Sequence, residues 1–141
     1  MKFISRHEGF SKKLYKDQGG YLTIGYGHLV HNAAKYEKGI SKSEGLKLLA
    51  RDVQKAVAAV NAAIKGFLGQ TKFDSLTSFT YNVGPNGFRG STLLRNIKNG
   101  KPVTQGNFTE WDKVGTTVSQ GLLSRRIAEY ELYSNGNYGG P

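Results

Sequence analysis

From residue 41 onward the apolar positions recur at helical spacing; before it they do not. Leu46, Leu49, Val53, Val57, Val60 and Ile64 step by threes and fours, as on one face of an amphipathic helix. Ser41-Lys42-Ser43-Glu44 precedes that stripe and fits a capping box, in which the serine oxygen and the glutamate satisfy backbone donors of the first turn. Together they predict one long helix ending near Gly66. A second helix is predicted from about Thr71, with Phe73, Leu76, Thr80 and Val83 on one side and a stop at Gly84-Pro85. Ser91 can cap a short third helix that ends at Gly100, and a fourth is expected to carry Phe108 and Trp111. The last helix is predicted from Ser119 to Ser134, with Leu123, Ile127 and Tyr130 inward and Asn135-Gly136 ending it.

Residues 9–40 are rich in Gly and Tyr and lack helical periodicity. Lys13–Gly27, KLYKDQGGYLTIGYG, reads as a β-hairpin: Leu14 and Tyr15 start it, Asp17-Gln18-Gly19-Gly20 turns it, and Tyr21-Leu22-Thr23-Ile24 returns. Alternation then sets Leu22 and Ile24 on an apolar underside and Thr23 on a polar face. A short helix from about Lys2 to Glu8 comes first. The sum is an α+β arrangement, a small β-hairpin lobe on a larger helical lobe, in one domain over residues 1–136 with a frayed tail at 137–141.

The 141-residue length suits one domain, and 16 aromatics among 141 residues argue against disorder. With no cysteine, disulfides, thiol nucleophiles and thiolate metal sites are excluded, and no apolar run approaches the ~20 residues that span a bilayer. The start, MKFISRHEGF, holds no apolar signal-peptide core. Twenty Lys and Arg against ten Asp and Glu give a net charge of +10, which draws the chain towards polyanions. Eleven of those basic residues lie in positions 1–55 and nine after, so there is no basic tail; with no helix-turn-helix or zinc-finger signature, nucleic acid is not the expected partner. A spread positive surface fits an extended anionic matrix instead.

The first 36 positions hold only two acids, Glu8 and Asp17. One falls where the first helix should end before Gly9, the other on the hairpin turn, so the chain can bring them together across a groove. Two opposed carboxyls are what glycoside hydrolysis needs: one protonated to release the glycosidic oxygen, one ionised to activate water or stabilise the cationic transition state. Phe3 and Ile4 would give Glu8 apolar surroundings that favour the acid role, while Asp17 on a wet turn beside Lys16 should stay ionised. Thr23 could hold a water through its hydroxyl. The competing reading is that Glu8 merely ends a helix and Asp17 merely shapes a turn.

The whole string resembles the phage-type lysozymes of glycoside hydrolase family 24, which include many bacteriophage endolysins. Their Glu, eight residues, Asp, five residues, Thr pattern is met by Glu8, Asp17 and Thr23, among HEGF at 7–10, YLTIGYGHLV at 21–30, FDSLTSFTYNVG at 73–84, STLLRNIKNG at 91–100 and GLLSRRIAE at 121–129. The resemblance implies a lysozyme fold with the active-site cleft between its two lobes. It implies a muramidase that cleaves the β-1,4 bond between N-acetylmuramic acid and N-acetylglucosamine, with Glu8 as general acid and Asp17 and Thr23 activating or positioning water. Members are usually described as inverting and need no metal or organic cofactor. Leu29, Tyr81 and Ser91 match substrate-contacting positions, although Ser91 also has the plain reading of a helix cap. The implied partners are peptidoglycan strands and, through charge, the anionic cell envelope. A monomer is expected, made in the bacterial host cytoplasm without a signal peptide and acting in the periplasm or on the wall after release or delivery.

His28 reads as a structural hydrogen-bonding residue, and His7 departs from the aromatic or acidic residue common before the family's Glu. Arg125 and Arg126 could pair with Glu8, contact the lactyl carboxylate, or simply be solvated; Trp111 reads as core. Three rival functions are compatible with the sequence: a catalytically silent cationic wall-binding module, the lysozyme domain of a secreted antibacterial effector with an immunity protein as partner, and a membrane-permeabilising helix over 119–133.

Overall fold

A computed structural model describes residues 2–139. It is an α+β fold: α1 (Lys2–Glu8), β1 (Ser11–Lys16), β2 (Leu22–Gly25), β3 (His28–Leu29), a 3-10 turn at Ala33–Tyr36, α2 (Lys42–Ala63), α3 (Gln70–Val83), α4 (Pro85–Arg89), α5 (Thr92–Lys98), α6 (Gln105–Thr109), β4 (Lys113–Val114), β5 (Thr117–Val118) and α7 (Gln120–Asn135). Two compact units divide between Gln54 and Lys55, so α2 begins in the first and ends in the second.

In the first unit β1, β2 and β3 form one antiparallel sheet in that order. The predicted hairpin is present, and a third strand, too short to carry a periodic signal, is added to it. The capping box is present as well: Ser41 Oγ accepts the Glu44 N–H and the Glu44 carboxylate accepts the Ser41 N–H, both at 3.1 Å. The buried face of α2, however, runs through Gly45, Leu49, Val53, Ala56 and Val60 rather than Leu46, which is 42% exposed. A Cβ on Gly45 would stand 2.8 Å from the Phe10 ring, which itself lies against Tyr26 with centroids 5.2 Å apart. Two aromatic rings therefore take the space above a glycine, and the helix turns that flat spot inward, leaving Leu46 outside.

The second unit owes its core to aromatic burial. Val60, Leu76, Phe79, Phe88, Leu93, Leu94 and Phe108 form one buried cluster. Phe79 meets Phe88, Phe108 and Trp111 edge-on, with centroids 6.3, 5.7 and 6.0 Å apart. Each fully buried Phe contributes about 1.5–3 kcal/mol relative to an exposed one. Trp111 is therefore core, as expected, but it lies in the turn after α6 rather than in that helix. Neither α4 nor the β4–β5 hairpin announces itself in the sequence, since elements of five and two residues hold too little periodicity.

The face of α7 differs most from expectation. Ile127 is 37% exposed, whereas Arg125, Arg126, Glu129 and Leu132 are buried. Neither arginine is solvated. Arg126 Nε lies 2.8 Å from Glu129 Oε1 and Arg125 Nε 3.3 Å from Glu129 Oε2. From α3, Ser78 Oγ donates to Glu129 Oε2 at 2.5 Å and Ser75 Oγ to the Glu129 carbonyl at 2.6 Å. The Arg126 guanidinium also lies 5.1 Å from the centroid of Phe79. Small polar residues at Ser75 and Ser78 let α7 approach closely and supply the donors a buried carboxyl needs. Burial pushes the Glu129 carboxyl up from its ordinary value, against the pull of both guanidiniums and the Ser78 hydroxyl. With its arginines turned inward, α7 lacks the cationic outer face of an interfacial helix, which removes the permeabilising reading. Of the expected frayed tail, 137–139 are tied down: Tyr138 donates its phenol proton to Asp74 at 2.7 Å, and Gly139 N–H reaches the Asn137 side chain at 2.9 Å. Gly140 and Pro141 lie outside the described residues, as does Met1.

Candidate active site

Glu8 is the last residue of α1, whose Phe3 and Ile4 are buried. The helix stops there because Gly9 takes φ +69°, a left-handed conformation that glycine adopts without a Cβ clash, while its N–H still reaches Ser5 O at 3.0 Å. That stop leaves Glu8 half-buried at the helix end. His7, just before it, packs its ring on Phe3 with centroids 4.6 Å apart.

Asp17 is held by the turn it makes. Its N–H donates to Tyr21 O at 2.9 Å, its carbonyl accepts from Gly20 at 2.9 Å, and its Oδ1 accepts the Tyr21 N–H at 2.8 Å. One carboxylate oxygen is thus fixed to the backbone, and Oδ2 is left for other chemistry.

Thr23 sits in the middle strand and differs from expectation in its surroundings. It is 2% exposed, as buried as Ile24 on the opposite face, and its hydroxyl donates to Tyr21 O at 2.7 Å. The expected open polar face is therefore covered at Thr23, and the side chain keeps only its acceptor capacity. The strand register places Tyr15 opposite Thr23 on one side and Leu29 opposite it on the other. Directly opposed residues share a sheet face, so Tyr15, Thr23 and Leu29 form one row.

Both acids bear electrostatically on Tyr15, the first residue of that row. The Tyr15 phenol is pushed up from its ordinary value, first by burial, then by the Glu8 carboxylate and then by that of Asp17. Two acids from different elements therefore act on one hydroxyl. Tyr15 drew notice in the sequence only as a strand residue; its position two before Asp17, on a strand paired with Thr23, is the signal that could have singled it out.

His28 fulfils its structural expectation: Nδ1 lies 2.7 Å from Asp52 Oδ2, which ties β3 to α2, with Tyr36 edge-on at 6.0 Å. Leu29 is 49% exposed. Tyr81 is half-buried on α3 in the second unit. Ser91, in the same unit, is buried, accepts the Leu94 N–H at 3.1 Å and donates to Phe88 O at 2.7 Å. Its geometry is that of the cap at the start of α5. Among the described residues, no group of three or more His, Asp or Glu is placed to hold a metal ion, and no helix is long and apolar enough to cross a membrane.

Comparison with known proteins adds a family model described as phage lysozyme, matched over residues 5–129. An endolysin of Bacillus phage PZA is 37% identical over 139 residues, covering 96% of this chain and 54% of that protein. The chain thus spans about half the length of that relative. Among solved structures, an endolysin from Escherichia coli O157:H7 phage FAHEc1 superposes with a TM-score of 0.85 at 33% identity, covering 99% of this chain and 92% of the other. The muramidase domain of SpmX from Asticaccaulis excentricus does so with 0.81 at 30% identity, covering 95% and 93%.

Proposed function

Since the chain belongs to the phage lysozyme family, we propose that it is a peptidoglycan muramidase in which Glu8 is the general acid and Asp17, with Thr23, handles the water. Glu8 gives its proton to the glycosidic oxygen as the bond to the muramic acid anomeric carbon breaks. A water molecule adds its oxygen to that carbon and passes a proton towards Asp17, so one bond is lost and one water consumed. The observation that carries this is membership of the phage lysozyme family, and the Tyr15 phenol, raised by burial and by both the Glu8 and Asp17 carboxylates, supports a common site for the two acids. The fixed Asp17 carboxylate supports a role that needs orientation, and the remaining acceptor capacity of Thr23 suits a bound water. Leu29 and Tyr81 serve as substrate contacts, while the buried Ser91 supports α5. The protein works as a monomer on the cell wall, reached after release or delivery, and its net charge of +10 concentrates it on the anionic envelope.

The test is clearing of purified peptidoglycan by the parent and by Glu8→Gln. Loss of a general acid should lower the rate about 10²–10⁴-fold with binding to the wall retained. Equal clearing by the two would overturn the proposal in favour of a wall-binding module. Mass spectrometry of the digest should show reducing-end muramic acid without an anhydro ring, the mark of hydrolysis.

A further inference from the structure

In the first unit a cavity of about 410 Å³ opens between β1 and the segment that leads into α2, and none of Glu8, Asp17 or Thr23 lines it. Its apolar lining is the half-buried Phe10 ring and the buried Ile40; its charged lining is Lys12, Lys38 and Lys42, all exposed, with Glu44 the one acid. Among the described residues no ion pair involves any of these three lysines, whereas one Glu44 oxygen already accepts the Ser41 N–H at 3.1 Å. The lining is therefore positive and open to an anion. We propose that this cavity binds the phosphodiester groups of a polyol-phosphate polymer of the cell wall, a second contact with the wall separate from the acid pair. The wall as the source of the ligand rests on the muramidase reading.

The backbone brings these lysines together. Ile40 N–H donates to Lys12 O at 3.0 Å and Gly39 N–H to Tyr36 O at 2.9 Å, so the segment before α2 lies against β1. Gly39 takes φ +80°, and a Cβ there would stand 2.7 Å from Lys12 O, 3.3 Å from Lys13 Cδ and 3.5 Å from Lys12 Cγ. A glycine is what lets the segment come so close, and the approach sets Lys12 and Lys38 on one cavity. Like charges around a concavity repel one another and focus a field that favours an anion among them. The donor set then distinguishes anions. Arginine, whose planar fork matches a carboxylate, is missing from the lining; lysines act as separate point charges, which suits a tetrahedral phosphate met from several sides. Phe10 and Ile40 offer apolar surface to the C–H groups between successive phosphates. No exposed aromatic ring lines the cavity for a nucleobase to stack on, and no exposed large apolar side chain is there to enter a bilayer.

Binding of a synthetic poly(glycerol phosphate) hexamer is measured by calorimetry at ~0.15 M salt, where long-range attraction is largely screened. The parent is compared with Lys12→Gln/Lys38→Gln/Lys42→Gln and with Lys55→Gln/Lys98→Gln/Lys101→Gln, which has the same net charge but alters exposed lysines outside the cavity. The cavity variant should bind about tenfold more weakly, through the loss of three exposed charge contacts, and the control variant less than about threefold. Both should clear polymer-free peptidoglycan at the parent's rate, since neither alters the acids. Should the triple variant melt lower than the parent by circular dichroism, Lys38→Gln alone, in a turn, replaces it with an expected loss of about twofold. Equal weakening in cavity and control variants overturns the site in favour of diffuse charge. So does absence of hexamer binding by the parent at millimolar concentration, or equal affinity for hexaglutamate. Binding to phosphatidylglycerol vesicles that falls in the cavity variant while hexamer binding does not would overturn the wall polymer in favour of a lipid headgroup. Failure of the muramidase reading is distinguishable, because it shows as full clearing by Glu8→Gln whatever the calorimetry gives.

Discussion

The two units of the chain are stabilised differently, and the difference follows what each contains. The first, up to Gln54, has a three-stranded sheet whose apolar burial is carried by few residues, Phe3, Ile4, Ile24, Ile40, Leu49 and Val53. Its polar groups are set by a few bonds, two of them local, Asp17 to the Tyr21 N–H and Thr23 to the Tyr21 carbonyl, and one between β3 and α2, His28 to Asp52. The second, from Lys55, packs its aromatic cluster around Phe79 and buries an ionic network within it. The Glu8 and Asp17 carboxyls of the first unit are only half-buried; the Glu129 carboxyl of the second is fully buried and held by two arginines and a serine. A buried carboxyl belongs to structure and a half-buried one can reach a ligand, and the proposed function assigns the acids of the two units to different work on that basis.

Substitutions can break that contrast. The largest effect is expected at Asp17. Asp17→Asn keeps an acceptor for the Tyr21 N–H but removes the charge, so wall-clearing rate should fall about 10²–10⁴-fold while urea stability stays nearly unchanged. A matching loss of stability would mean that Asp17 is a turn residue first. Glu129→Ala should show the reverse. Taking away the carboxylate leaves Arg125 and Arg126 buried without it and should cost on the order of 3–5 kcal/mol in urea denaturation.

Smaller effects sharpen the comparison. Ser91→Ala removes a cap from a buried site and should cost about 1–2 kcal/mol, read as a lower urea midpoint. Retained KM on peptidoglycan would confirm the cap as its role. The smallest effect concerns alkaline pH. The phenols of Tyr15 and Tyr133 are raised by burial first, and that of Tyr138 by its hydrogen bond to Asp74. Above the ordinary phenol value of about 10, the unfolded chain releases protons that the native chain still holds, so stability should fall as pH rises through that window. Urea midpoints from pH 9 to 11 measure it, and Tyr15→Phe and Tyr133→Phe should each flatten the slope.

Local rules were legible wherever a signal repeats or a residue type is demanded. The stripe from Leu49 to Val60 and the Ser41–Glu44 box announced α2; Gly9 after Glu8 and Gly136 after Asn135 announced helix ends. The spacing of Glu8, Asp17 and Thr23 nominated the acids only together with the family words around them, since an acid at a helix end and another in a turn have plain structural readings. Illegible were the elements too short to repeat, β3, α4 and the β4–β5 hairpin, and the faces whose orientation depends on a distant partner.

The sequence alone determined the kinds of the longer elements and their caps, since those are set by neighbours within a few positions. Only the tertiary structure decided that Leu46 turns outward above a glycine filled by Phe10, that Arg125, Arg126 and Glu129 go inside, and that Tyr15 stands in line with Thr23 and Leu29. Each of those outcomes is a competition for one volume or one charge between residues far apart in the chain, and no local pattern encodes which of them wins.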